Sequence, residues 1–201
     1  MTDDGTWQQI QRGDGRVVEL VSSGVVGDTT LVFHNGTPTA ALLFAPLAEC
    51  AARHGLSVVT FSRPGYAGST AQPGRSVADV ADDTAAVLDA VGADSFVTLG
   101  WSGGGPHALA CAALLPERCR AAATLAGVAP YGADGLDWLA GMSEENVEEF
   151  SAALDGEEPL TRFLEAQAAV LRDVSASDVA DALGGLVSPV DKAALTGEFA
   201  A

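Results

Sequence analysis

The residues best placed to do chemistry are Gly100-Trp101-Ser102-Gly103-Gly104, a G-x-S-x-G run between an apolar stretch ending near Leu99 and a helical pattern opening near Gly105. On a strand-to-helix turn of this kind the serine backbone is driven to positive φ. Side chains two positions to either side would then collide, so glycine is required at Gly100 and Gly104. The bend lifts the hydroxyl clear of the sheet and sets it at a helix N-terminus, where unpaired N–H groups favour developing negative charge. Pro106, in the first turn, costs that helix no hydrogen bond. The chemistry expected is nucleophilic attack by Ser102. The competing reading is a Gly-rich turn with an incidental serine.

Such a turn needs a strand before it and a helix after it, and periodicity supplies both. Residues 95–101 read as a strand, 105–115 as a helix stopping before Pro116, and 119–126 as a further apolar strand. Upstream, 7–11 and 16–21 suggest an opening hairpin, 30–33 a third strand and 40–53 a helix. Leu56-Ser57-Val58-Val59-Thr60-Phe61 follows as a strand covered on both faces. Ser76-Val77-Ala78-Asp79 fits a capping box. The helix it opens carries Val77, Val80, Ala81, Thr84, Val87, Leu88 and Val91 on one stripe, with Asp82, Asp83 and Asp89 opposite, and closes at Gly92. Alternating strands and helices predict an α/β fold: right-handed βαβ units in a mostly parallel sheet with helices on both faces.

The pattern changes near Pro130. Residues 131–201 read as helices only, at 143–154, 159–172, 177–183 and 189 to the end. Val147, Phe150 and Leu154 form one stripe and Leu160, Phe163, Leu164, Val170 and Leu171 another. Two regions follow, 1–130 and 131–201. The second holds 15 acids against 3 bases, the first 12 against 7. The whole chain of 201 residues carries -17, a field that repels nucleic acid and anionic lipid, so neither is expected as a partner. Hydrophobic residues at 48% exclude a disordered chain, and no apolar run reaches the ~20 residues of a membrane span. Met1-Thr2-Asp3-Asp4-Gly5 has no basic and apolar leader pattern, so the cytoplasm is the expected location. Cys50, Cys111 and Cys119 lack disulfide or zinc spacing and are expected to be reduced thiols, mostly buried, with no metal bound.

With these elements around it, the serine turn resembles that of the α/β-hydrolase fold family, specifically its single-domain esterase and peptidase members. Two further segments carry the resemblance. Phe33-His34-Asn35-Gly36-Thr37-Pro38 is similar to the family's H-G-x-P-type oxyanion loop through Gly36-Thr37-Pro38. Ser62-Arg63-Pro64-Gly65-Tyr66-Ala67-Gly68-Ser69 is similar to its R-P-G-x-G-x-S loop, with Ala67 where a glycine is usual and Gly68 expected to supply the flexibility. The resemblance implies that Thr37 N–H and Gly103 N–H form the oxyanion hole, and that the helices of 131–201 form a lid. It covers about residues 7–130, the first two thirds of the fold, and implies two further strands that are missing here.

The resemblance also implies a catalytic histidine late in the chain, and none follows His107. His34 is expected to shape the oxyanion loop, His54 to sit at a helix C-terminus, and His107 to point away from the serine from inside the next helix. Asp134 and Asp137, after the sixth strand, have no imidazole to orient and are expected on the lid surface. A serine without a base stays protonated and is a weak nucleophile. The expectation is therefore a truncated or frame-interrupted hydrolase, with two strands, an acid and a histidine encoded downstream of residue 201. Without those strands, residues 120–126 are an open apolar edge through which copies could associate. Trp138, Met142, Phe150 and Phe163 are expected in the lid core rather than lining a pocket.

Taken together, the reading is a cofactor-free hydrolase of a small-molecule ester or amide acting through a Ser102 acyl-enzyme. The alternatives are a non-catalytic binding or scaffold protein, and cofactor-free perhydrolysis or carbon-carbon cleavage on the same fold.

Overall fold

The computed structural model describes residues 5–24, 29–172, 188–190 and 193. They divide into two compact units, one over 2–133 and one over 134–201.

The first unit is built on a sheet of six strands: β1 (Thr6–Gln11), β2 (Val17–Ser22), β3 (Thr29–His34), β4 (Leu56–Phe61), β5 (Phe96–Trp101) and β6 (Cys119–Leu125). Their spatial order is β1-β2-β4-β3-β5-β6. The first two form an antiparallel hairpin, β2 meets β4 antiparallel, and β4, β3, β5 and β6 run parallel. Helices α1 (Ala45–Arg53), α2 (Val80–Ala90) and α3 (Gly105–Leu114) connect the parallel strands.

Two-residue alternation splits the core between the two faces. Leu31, Phe33 and Val58 point to one side with Ala51 of α1, while Val32, Val59, Phe61 and Phe96 point to the other with Val80, Val87 and Leu88 of α2 and Cys111 of α3. Val58, Val59, Thr60 and Phe61 are all buried, as expected of a strand flanked on both edges and covered on both faces. Each such apolar side chain contributes about 1.5 to 3 kcal/mol by leaving water.

Three expectations are corrected here. The helix read over 40–53 starts only at Ala45, with Pro46 in its first turn. Residues 40–44 are tied elsewhere: Ala41 N–H donates to Ser62 Oγ at 2.9 Å and the Leu42 carbonyl accepts from Asn35 Nδ2 at 3.3 Å. The capping box holds, with the Asp79 carboxylate accepting from Ser76 N–H and Oγ–H, both at 2.7 Å. It opens a 3₁₀ turn, Val77–Asp79, rather than the α-helix itself, and leaves Val77 exposed. Asp83, expected on the outer face of α2, is buried. Arg16 grips both of its carboxylate oxygens, at 2.8 and 3.2 Å, and Arg12 Nη1 lies 3.0 Å from Oδ1. The hydrogen bonds to Asp83 hold the Arg16 guanidinium above its ordinary pKa despite burial.

At the far edge, β6 pairs with β5 and, among the described residues, with no other strand, and residues 120–125 are exposed. Among the described residues no strand follows Leu125.

In the second unit, α4 (Glu144–Asp155) starts at Ser143, whose Oγ accepts from Asn146 N–H at 3.3 Å, and α5 (Glu157–Leu171) follows after Gly156. Trp138 and Phe150 pack edge to face with ring centres 4.5 Å apart, an internal contact of this unit. The helices expected at 177–183 and from 189 onward lie outside the described residues, apart from 189–190 and 193, which are helical. No described helix is long and apolar enough to cross a membrane.

Candidate active site

Ser102 lies where β5 ends and the chain turns through a single 3₁₀ turn, Ser102–Gly104, into α3. Its backbone sits at φ 51, a left-handed conformation that L-residues adopt at a cost of about 1 to 2 kcal/mol. The neighbouring glycines leave no room for side chains. A Cβ on Gly100 would stand 2.6 Å from the Gly104 carbonyl carbon and 2.7 Å from Gly105 Cα. One on Gly104 would stand 2.7 Å from the His34 carbonyl carbon and 2.8 Å from Asn35 O. The turn is therefore pressed directly against the chain leaving β3.

That chain, Asn35-Gly36-Thr37, comes beside the serine. A Cβ on Gly36 would be 3.4 Å from Ser102 Cβ, and one on Gly103 would be 3.3 Å from Thr37 N. Ser102, Gly103, Gly36 and Thr37 thus gather at the C-terminal ends of β3 and β5, with the Thr37-Pro38 peptide in the cis form. Ser102 is half-buried and Thr37 exposed, so the cluster opens outward. Gly103 is the second residue of a helical turn, a position whose N–H has no intrahelical acceptor.

The loop beneath is held by Arg63, a residue to which sequence reasoning gave no separate role. Its Nη1 donates to Asn35 O at 2.6 Å, and its Nη2 to Gly36 O at 3.1 Å and to Thr37 Oγ1 at 3.3 Å. Arg63 is buried and its guanidinium lies over the Tyr66 ring, 5.3 Å from the centre. Burial lowers its pKa from the ordinary value. The one sequence signal was an arginine in the turn straight after a strand buried on both faces. Asn35 adds a second tie, donating to Thr60 Oγ1 at 2.7 Å.

None of the three imidazoles bonds to Ser102, and among the described residues no side chain hydrogen-bonds its hydroxyl. His34 ends β3 with its ring buried, Nε2 lying 3.6 Å from Cys111 Sγ and the ring edge-on to Phe61. Burial, with smaller contributions from His107 and Arg63, lowers its pKa to about 3. His107 is also buried, with its ring centre 6.3 Å from that of His34 and Nδ1 unpartnered among the described residues. Burial first, then the positive charges of Arg63 and Arg75, lower its pKa to about 4, against a raising contribution from the Val77 backbone. Both rings are neutral at pH 7. His54 is exposed and caps α1 through its own N–H to Ala51 O at 2.9 Å. Asp134 and Asp137 are exposed residues of the second unit.

Of the thiols, Cys111 is buried and its pKa is pushed up to about 11 by burial, Cys119 is intermediate and Cys50 exposed, which corrects the expectation that most are buried. Among the described residues no three His, Cys, Asp or Glu side chains are grouped to hold a metal ion.

The arrangement is a hydroxyl on a strained turn with main-chain amides beside it. The profile of the family described as alpha/beta hydrolase fold matches residues 29–167. The chain matches no curated protein. Among solved structures it is similar to a predicted CIB-like hydrolase from Thermoplasma acidophilum, at 17% identity and TM-score 0.53, over 61% of this chain and 64% of that one. It is also similar to epoxide hydrolase A from Mycobacterium thermoresistibile, at 25% identity and TM-score 0.51, over 60% of this chain and 38% of that one. A thioesterase domain from the curacin biosynthetic pathway matches at 18% identity and TM-score 0.55, over 75% of this chain and 53% of that one. In each case the match takes in less than two thirds of the solved chain.

Proposed function

The chain belongs to the α/β-hydrolase fold family, and from that premise we propose that it is a hydrolase that opens a carboxylic ester or amide through an acyl-enzyme on Ser102. The observation that carries the reading is Ser102 at φ 51 on the β5-to-α3 turn, with Gly103 packed against Thr37. In this reading Ser102 Oγ attacks the carbonyl carbon and the carbonyl electrons move onto oxygen. Thr37 N–H and Gly103 N–H then receive that oxyanion. Losing one such donor commonly costs about 3 to 4 kcal/mol of transition-state stabilisation.

Proton transfer is the part these residues do not supply. With His34 and His107 buried and neither bonded to Ser102, no base for the serine stands among the described residues. Donors alone leave rate enhancement on the order of 10³ over water when triad members are removed elsewhere. The helices of the second unit are proposed to act as a lid, and the location is proposed to be cytoplasmic.

That both core imidazoles are buried and neither bonds to Ser102 favours a second reading, a non-catalytic small-molecule-binding protein with a vestigial serine. A fluorophosphonate probe separates the two. In the labelling step the Ser102 Oγ–P bond forms, the P–F bond breaks, fluoride leaves and the serine proton passes to water. Labelling that vanishes in Ser102→Ala supports the enzyme. A folded protein that takes no label supports binding alone.

A further inference from the structure

We infer that Arg63 is the positioning residue of the proposed oxyanion site, orienting and polarising the peptide unit whose N–H is that of Thr37. The inference rests on the Ser102 reading and adds a residue to it.

Gly36 C=O and Thr37 N–H belong to one peptide group, and in a trans peptide they point in opposite directions. A donor fixed on Gly36 O therefore fixes where Thr37 N–H points, which is away from the donor. Arg63 Nη2 is such a donor at 3.1 Å, while Nη1 holds the preceding carbonyl, Asn35 O, at 2.6 Å. A rigid fork on two successive carbonyls restrains the loop more tightly than a single bond could. Gly103, on the turn that carries Ser102, packs against the same residue: its Cβ position meets Thr37 Oγ1, with Thr37 Cβ at 3.1 Å and Thr37 N at 3.3 Å. The peptide unit that Arg63 holds by its carbonyl is thus the one whose N–H lies next to that turn. Thr39 N–H shares the Gly36 carbonyl at 3.1 Å, adding to its polarisation.

Charge is the second part of the case. The chain has 27 acids, yet among the described residues no carboxylate pairs with Arg63, and it is buried at 3% exposure. A buried cation is usually compensated by an anion. Its partners among the described residues are two carbonyls, the Thr37 hydroxyl and Tyr66, none of them a carboxylate, so its positive charge is not cancelled by an anion and remains for an oxyanion forming beside this loop. A bond from a charged donor to C=O also strengthens the N–H of the same peptide as a donor, because hydrogen-bonded amides polarise one another.

The test uses the full chain and an alkyl fluorophosphonate, resolving KI, which reads reversible binding, from kinact, which reads the step that develops charge on oxygen. Folding of each variant is checked by circular dichroism. In Arg63→Gly, kinact is expected to fall about 10-fold or more while KI stays within about 3-fold. Guanidinium ion at non-denaturing millimolar concentration is expected to restore part of kinact. Arg63→Lys, with charge but no fork, is expected to fall between the two. A folded variant of either kind labelling Ser102 with the wild-type kinact would overturn the inference and leave the Ser102 reading intact. A loss confined to KI, or one that guanidinium does not relieve, would also overturn it. A folded wild type that takes no label at Ser102 would overturn the Ser102 reading and this inference with it.

Discussion

Ala67 adopts φ 41, although its methyl group makes the left-handed region cost about 1 to 2 kcal/mol. Gly68, expected from the sequence to supply the flexibility of this loop, is not itself at positive φ. A Cβ there would stand 2.7 Å from Gln9 Nε2 and 3.1 Å from Glu19 Cδ, so the glycine provides room rather than freedom. Ala67→Gly is expected to stabilise the protein by about 1 kcal/mol, after allowing for glycine's extra entropy when unfolded, read as a rise in the urea midpoint at constant m. The imidazoles give a pH prediction. His34 and His107 have folded pKa values of about 3 and about 4, below the unfolded value of 6.5. Below that unfolded value the unfolded chain takes up protons the folded one refuses. Their contribution is present above pH about 6.5 and is lost as pH falls toward 4 and then 3. Imidazole proton resonances of His34 and His107 should not titrate between pH 5 and 8; an ordinary titration curve for either would contradict its burial. Single residues were legible in the sequence where local geometry decides, as at Gly100, Ser102 and Gly104. They were not where the partner is distant, since nothing near His34 announces Cys111, 77 positions away.

Among the elements, α2 is bound to the opening hairpin through Asp83. The 3.6-residue stripe assigned Asp83 to solvent because periodicity sees only apolar residues. It cannot see that Arg12 and Arg16, across the end of the hairpin, convert the flank of that stripe into an ion-paired site. Removing the carboxylate takes from Arg12 its ion-pair partner and leaves Arg16 only the more exposed Asp14, with both guanidiniums largely out of water. Asp83→Ala is expected to destabilise by about 3 kcal/mol, and Arg12→Met/Arg16→Met combined with Asp83→Leu by less, since an apolar cluster of similar volume often replaces a buried ionic triad without loss. Equal losses in the single and triple variants would contradict that account. The strand and helix positions themselves were readable, since Leu56–Phe61 and Phe96–Trp101 are apolar runs bounded by turn residues. The start of α1 was misjudged because residues 40–44 look helical in isolation. Their backbone is engaged by Ser62 and Asn35, from segments on either side.

For the whole molecule, net charge and the open sheet edge pull in opposite directions. At -17 the copies repel, while β6 offers a row of exposed residues and a backbone edge that no other described strand pairs. We propose that copies associate through that edge once salt screens the repulsion. Sedimentation velocity is expected to show association growing between about 0.01 M and about 0.15 M salt, as the screening length falls from about 30 to about 8 Å. Association should be suppressed in Ala122→Lys/Leu125→Lys; a monomer at every salt concentration would contradict this. The most direct test of the account is the site of fluorophosphonate attachment, read by peptide mass spectrometry on the folded chain and on Ser102→Ala. The account predicts one phosphonyl group, on Ser102, and none on the variant. A folded wild type without label, or label that persists in Ser102→Ala, would contradict it.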